Sequence, residues 1–248
     1  MAGSEPPLDL LRPRGVGELI ATTLGLFRRH SGLFLSVSLL VVAPAVVLVD
    51  GVWGRALREG PHAHASQAAS STLALLTTLV IPPLVTALHA VIVRELGAGR
   101  VPGRMEALRA AAPRFPSAIA AVALYTLGVT VGLVLLIVPG IWLGVRWYFA
   151  AQAAVLDGVP ARVALERSAA LVDGRWGAAA GALVAGMLAF GLAGVVAGML
   201  AGLVTQPVAY VSLTTVIQAV ALSLSALYGT LLFFALRAAR EAPLAAVP

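Results

Sequence analysis

Six apolar runs, each close to the length needed to cross a bilayer, limit this chain more than any other feature. They occupy residues 33–49, 72–93, 116–138, 141–156, 178–204 and 208–236, and only the fourth contains a charged residue. A hydrocarbon core of about 30 Å is crossed by roughly 20 residues of α-helix, because each residue rises about 1.5 Å. Only 11% of the 248 residues are charged, against about a quarter in soluble domains, so an ordinary water-facing surface cannot be built. The expected fold class is therefore all-α, a polytopic membrane bundle of six transmembrane helices.

The third and fourth runs are separated only by Pro139 and Gly140. Their combined length is too great for one span. Proline lacks a backbone donor and glycine accepts left-handed angles, so Pro139-Gly140 is expected to form a hairpin turn at the membrane surface. Gln206-Pro207 has the same role between the last two runs. Every basic residue is arginine, and with six helices nearly all of those outside the spans fall on one side, within 12–29, 94–114, 162–175 and 237–240. The opposite side receives only Arg55 and Arg58. The positive-inside rule then puts both termini in the cytoplasm. Topology accounts for the net charge of +6, and no nucleic-acid partner is expected.

Residues 17–29, 103–114 and 160–172 each read as a short cytoplasmic amphipathic helix before a span. Such helices are expected to lie along the inner membrane surface. One interfacial helix and two spans thus recur three times, and MEALRAAAPRF and VALERSAALVDGRW are loosely alike, which raises a parallel triplication. The organisation is a single membrane domain, with 15–241 as the bundle and 1–14 and 242–248 as flexible tails. The first apolar run lacks a small-residue cleavage site, so it is expected to be retained.

Among side chains, Arg146 is the one charge inside a run. Intramembrane ionisable groups are costly and mark function, so Arg146 is a candidate contact for a substrate or lipid phosphate. Its other reading is an anchor that snorkels to the outer interface beside Trp142, Trp147 and Tyr148. Arg162, Arg167 and Arg175 form a candidate surface for anionic headgroups or a protein partner, at about 1 kcal/mol per arginine near the membrane. Gly194, Gly198 and Gly202 recur every four residues, a spacing that lets helices approach closely, within the chain or in a homodimer. His62 and His64 supply too few ligands for a tetrahedral metal shell, and no metal or cofactor is expected. His30 and His89 are placed at the cytoplasmic interface. No nucleophile elbow, phosphate-binding loop, dinucleotide fingerprint or zinc-protease motif is present, so no enzyme is expected. No acid lies in a span, which argues against ion-coupled transport.

Three stretches together resemble the membrane domain of the glycerophosphoryl diester phosphodiesterase family. They are RPRGVGELIATTLGLFRRHSGLF at 12–34, LLIVPGIWLGVRWYFAAQAAVLDGVPARVALERSAALVDGRW at 135–176, and LYGTLLFFALRAARE at 227–241. The middle stretch is the most specific, with its Ile-Val-Pro-Gly-Ile segment, Arg146, Asp157-Gly158 and the run from Ala164 to Ser168. The resemblance implies six helices and residence in a bacterial inner membrane. It implies no activity, because the family's phosphodiesterase chemistry belongs to a separate soluble barrel that is absent here. The expected function is a non-catalytic module that anchors or assembles partners or organises lipid. Its alternative is a permease-like subunit or small-molecule channel, which needs a polar cavity between helices.

Overall fold

The computed structural model describes residues 8–47 and 63–241, without the side chains of 63–78 and of residue 207. All regular structure among these residues is helical. In chain order the helices are α1 Val16–Arg29, α2 Ser31–Val46, α3 Ala63–Gly97, α4 Arg104–Ala111, α5 Phe115–Leu135, α6 Ile137–Trp147, α7 Ala150–Leu156, α8 Ala161–Val172, α9 Trp176–Gly186, α10 Leu192–Ala201 and α11 Pro207–Glu241. A 3-10 turn, Ala112–Arg114, joins α4 to α5, and a π-helical turn, Met187–Gly191, joins α9 to α10.

Four stretches are long and apolar enough to cross a membrane: Leu79–Gly97, Arg104–Leu135, Trp176–Ala201 and Val208–Glu241. A fifth is reached if α1 and α2, bent by 87° at His30, count as one. The expected fourth run is not among them. It is divided into α6, of 11 residues, and α7, of 7, neither long enough to span alone.

The central pair is α3 and α11, with 61% and 67% of their apolar windows buried, whereas α5 and α9–α10 show 17% and 11% and form the rim. With little hydrophobic drive between helices in lipid, packing and polar contacts hold such a bundle together. Ser38 of α2 and Ser223 of α11 share a hydrogen bond of 2.6 Å. The Tyr228 hydroxyl of α11 donates to the Ala182 carbonyl of α9 at 2.7 Å. Gly186 gives that ring its place, since a Cβ there would lie 2.3 Å from Tyr228 Cε1. The core between these helices is made by Phe34, Val37, Leu88, Ile92, Phe149, Leu227 and Leu231.

The hairpin between α5 and α6 turns at Leu136, not at Pro139-Gly140. Leu136 is extended, with φ −157° and ψ 135°, and Pro139 and Gly140 lie inside α6. Pro139 is the third residue of that helix, where a backbone N–H has no intrahelical partner, so its missing donor costs nothing. Gly140 instead serves the packing. A Cβ on Gly132 of α5 would lie 2.9 Å from Gly140 Cα, so the two helices touch backbone to backbone.

The break between α6 and α7 has a side-chain cap from another helix. Phe149, at φ −87° and ψ 10°, leaves the helical ladder; its N–H donates to Ser168 Oγ at 3.1 Å. The Ser168 hydroxyl donates in turn to the Arg146 carbonyl at 2.9 Å. One fully buried side chain of α8 thus serves both sides of the break.

The three expected short helices appear as α1, α4 with its 3-10 turn, and α8. The apolar face of α8 is not offered to lipid: Ala164, Leu165, Ser168, Ala169, Leu171 and Val172 are all buried in the bundle. The N-terminal residues 8–14, expected as part of a flexible tail, are docked. The Leu8 N–H donates to the Leu96 carbonyl at 3.2 Å, and the Leu10 side chain covers Gly97, where a Cβ would lie 2.3 Å from Leu10 Cδ1. Residues 242–248 lie outside the described residues, as do 48–62 with Arg55, Arg58 and His62.

Replacing Ser168 by Ala is expected to lower stability by about 1–3 kcal/mol, the cost of leaving buried backbone groups unsatisfied. Thermal unfolding of the detergent-solubilised protein checks it; an unchanged midpoint contradicts the cap.

Candidate functional site

Arginines from α8, from α11 and from the turn before α5 gather around the end of α7, where one carboxylate stands. Asp157 caps the end of α7, and the chain turns sharply at Gly158, with φ +66°. That angle favours glycine, and so does the space, because a Cβ would lie 2.5 Å from an Arg114 guanidinium nitrogen. Arg114, just before α5, donates to the Gly158 carbonyl at 3.1 Å. From α8, Arg167 pairs with Asp157 Oδ2 at 2.8 Å, and from α11, Arg237 pairs with Oδ1 at 2.9 Å. Asp157 is the sole acid between Glu106 and Glu166 in sequence, and it is shared by two guanidinium groups.

A cavity of about 290 Å³ opens beside this pair, bordered by Asp157, Arg167, Ala170, Leu171, Phe233, Arg237 and Arg240. Arg240 reaches the Ala170 carbonyl, and Arg237 stands 6.0 Å over the Phe233 ring while also meeting Glu241 at 3.6 Å. Three arginines border the cavity against Asp157, with Glu241 beside Arg237, so the formal charge there is net positive. The Arg167 and Arg237 side chains remain 47% and 46% exposed, which leaves guanidinium edges accessible to an anion. Burial pushes the Asp157 carboxyl up, but hydrogen bonds from Arg167 and Arg237, together with their charges, outweigh it and hold the group below its ordinary value of 3.8.

The expected surface of Arg162, Arg167 and Arg175 is not brought together. Arg162 pairs with Glu166 at 3.4 Å and is 89% exposed, a solvated i,i+4 pair of small energetic weight. Arg167 turns to Asp157. Arg175 precedes α9 and has no ion-pair partner among the described residues. Arg237 and Arg240, which complete the cluster, stand 80 and 70 residues from their partners in sequence. A lone acid closing an apolar run and followed by glycine is the sequence signal that marks the centre.

Arg146 does not snorkel toward the α5–α6 turn. Its guanidinium lies 3.6 Å from Asp173 and 4.8 Å above the Trp142 ring, and Trp176 Nε1 donates to the Trp142 carbonyl at 3.3 Å. Asp173 belongs to the α8–α9 connection, the segment that charge placed on the opposite side from Arg146. The arginine is therefore matched within the protein.

Of the small-residue positions, Gly194 packs inside the chain, where a Cβ would lie 3.3 Å from Ala221 Cβ. Gly198 has open space around it, and Gly202 ends α10 against the Met199 carbonyl. His89 is not at an interface: it is fully buried, stacked on Phe34 at 5.2 Å, and its Nδ1–H donates to the Val85 carbonyl at 2.8 Å. Among the described residues no group of three or more His, Asp or Glu side chains converges as a metal site. His62 and the side chain of His64 lie outside the described residues. No family model, curated protein or solved structure matches this chain.

Because the Asp157 carboxyl titrates lower folded than unfolded, its stabilisation is complete above the ordinary value of 3.8 and is lost as the pH falls through the lower, folded value. Asp157→Asn is expected to destabilise by about 1–2 kcal/mol at neutral pH, since it leaves two arginines unneutralised. It is also expected to flatten the acid limb of the stability profile, and unfolding midpoints between neutral and strongly acidic pH check both outcomes.

Proposed function

We propose that this protein is a non-catalytic membrane module that organises lipid or anchors partners, and that the Asp157 cluster is its contact with anionic headgroups. One observation carries the reading: three arginines and one carboxylate border a cavity of about 290 Å³ at the ends of α7, α8 and α11. Guanidinium groups bind phosphate through paired N–H donors, and the site offers them from two separate helices. The internal acid acts as a fixed counter-ion that holds Arg167 and Arg237 in place while about half of each side chain stays exposed.

In this reading α6 and α7 in series make the fourth of six membrane segments. Both termini and the cluster face the cytoplasm of a bacterial inner membrane, where the arginine distribution and anionic lipid coincide. The sequence resemblance to the membrane domain of the phosphodiesterase family supports the same placement, without the chemistry of the barrel that domain accompanies. A protein partner bound at the same face is compatible with lipid there, since Arg162 and Arg175 are outside the cluster.

Neutralising Arg237 and Arg240 to Gln is expected to weaken phosphatidylglycerol binding roughly 30-fold, from about 1 kcal/mol per arginine. Arg162→Gln is expected to leave it unchanged. Lipid titration of the purified protein by native mass spectrometry, with phosphatidylcholine as the neutral reference, measures both. Equal retention of the two lipids by the unaltered protein contradicts the proposal.

A further inference from the structure

A second cavity, of about 200 Å³, lies near mid-length of α3, α5 and α11, where they face the α6–α7 break. Its walls are mostly apolar but include Thr86, Tyr125, Trp147, Tyr148, Gln152 and Ser225, and no charged side chain borders it among the described residues. This is unusual ground for an apolar bundle, where polar side chains are placed at a cost and find partners. Gln152 is 4% exposed, yet its Oε1 accepts no hydrogen bond among the described residues. An unpaired buried amide oxygen costs about 1–3 kcal/mol.

The surrounding backbone is arranged around this side chain. On α11, Gly229 leaves room that a Cβ would take, 3.1 Å from Gln152 Nε2 and 3.7 Å from the Tyr148 hydroxyl. On α3, Pro82 and Pro83 line the cavity and neither has a backbone N–H to donate, so the helical ladder is interrupted at that wall. Discontinuous helices around a cavity that holds a few polar groups are how membrane proteins make solute sites within the bilayer.

We infer that this cavity is a binding site for a small uncharged solute bearing N–H or O–H donors, held by the Gln152 carboxamide between the rings of Tyr125, Trp147 and Tyr148. The absence of charge on the walls sets the neutrality of the ligand, because a bare charge at that depth costs at least about 2.5 kcal/mol. The unpaired Oε1 sets its donor. The volume sets its size, below the roughly 300–1,000 Å³ of pockets for drug-sized molecules and enough for a few heavy atoms. This site is separate from the arginine cluster and does not depend on the headgroup reading.

Acetamide and N,N-dimethylacetamide form the test pair: the first carries N–H donors, and the second keeps the carbonyl but has none. The full chain in lipid nanodiscs is titrated with each, following tryptophan emission, to which Trp147 contributes from the cavity wall. Saturable binding of acetamide is expected, with N,N-dimethylacetamide at least tenfold weaker. Gln152→Met, of similar size, is expected to weaken acetamide at least tenfold while the lipid selectivity of the arginine cluster is kept. A response that rises without saturation means the cavity holds only water and overturns the inference, as does equal binding of the two amides. Unchanged acetamide binding in Gln152→Met overturns it as well. Should that variant fail to fold, the comparison of the two amides on the unaltered protein still decides.

Discussion

Lipid offers the backbone no hydrogen bonds, and the rest of this architecture depends on how the chain meets that constraint where its fourth apolar segment breaks. A continuous helix satisfies itself; one interrupted at Phe149 frees groups on either side. Ser168 answers both, accepting from Phe149 and donating to the Arg146 carbonyl. Because Ser168 belongs to α8, the break can exist only if α8 is seated against α6 and α7. The arginine-bearing helix α8 and the interrupted α6–α7 segment are therefore one mechanical unit. There is no proline or glycine at the break, so the kink is made by an inserted side chain, one of the few physical causes of a sharp bend.

From that unit the two sites follow in opposite directions. Toward the end of α7 the chain reaches Asp157, which gathers Arg167 from α8 and Arg237 from α11 and leaves an excess of positive charge at an open edge. Along the break itself, Tyr148 and Gln152 face the cavity shared with α3 and α11. The first site is charged and at the end of the helices; the second is neutral and lies along their middle. Their chemistry differs as their surroundings do, since ions are tolerated where water or headgroups reach and neutral dipoles where they do not.

Much of the helical content was legible because it rests on local periodicity. The short amphipathic segments were visible at 17–29, 103–114 and 160–172 and appear as α1, α4 with its turn, and α8. Apolar run length located α5, α9–α10 and α11, since hydropathy over some twenty residues averages away local detail. What sequence reasoning misplaced depended on single positions. Pro139-Gly140 resembles a turn, but proline fits the first turn of a helix equally well, and only the close approach of Gly132 and Gly140 reveals that Leu136 is the bend. Neighbours in sequence leave Arg146 either a ligand contact or an anchor at the outer interface, whereas its partner, Asp173, comes from another connection. The Asp157 centre could not be read from spacing, because Arg237 comes from a helix 80 residues away. Likewise, Gln152 looks like one polar residue in an apolar run until Gly229 is seen to clear space beside it.

The central claim, that the arginines around Asp157 face the phosphates of anionic lipid, is most directly tested by solid-state NMR distance measurement between phosphatidylglycerol phosphorus and the guanidinium nitrogens of arginine-labelled protein in bilayers. Hydrogen-bonding proximity, with a signal that is lost on replacing Arg237 and Arg240 and kept on replacing Arg162, is the expected result. A phosphorus contact that persists without Arg237 and Arg240, or no contact at all in a phosphatidylglycerol bilayer, contradicts the claim.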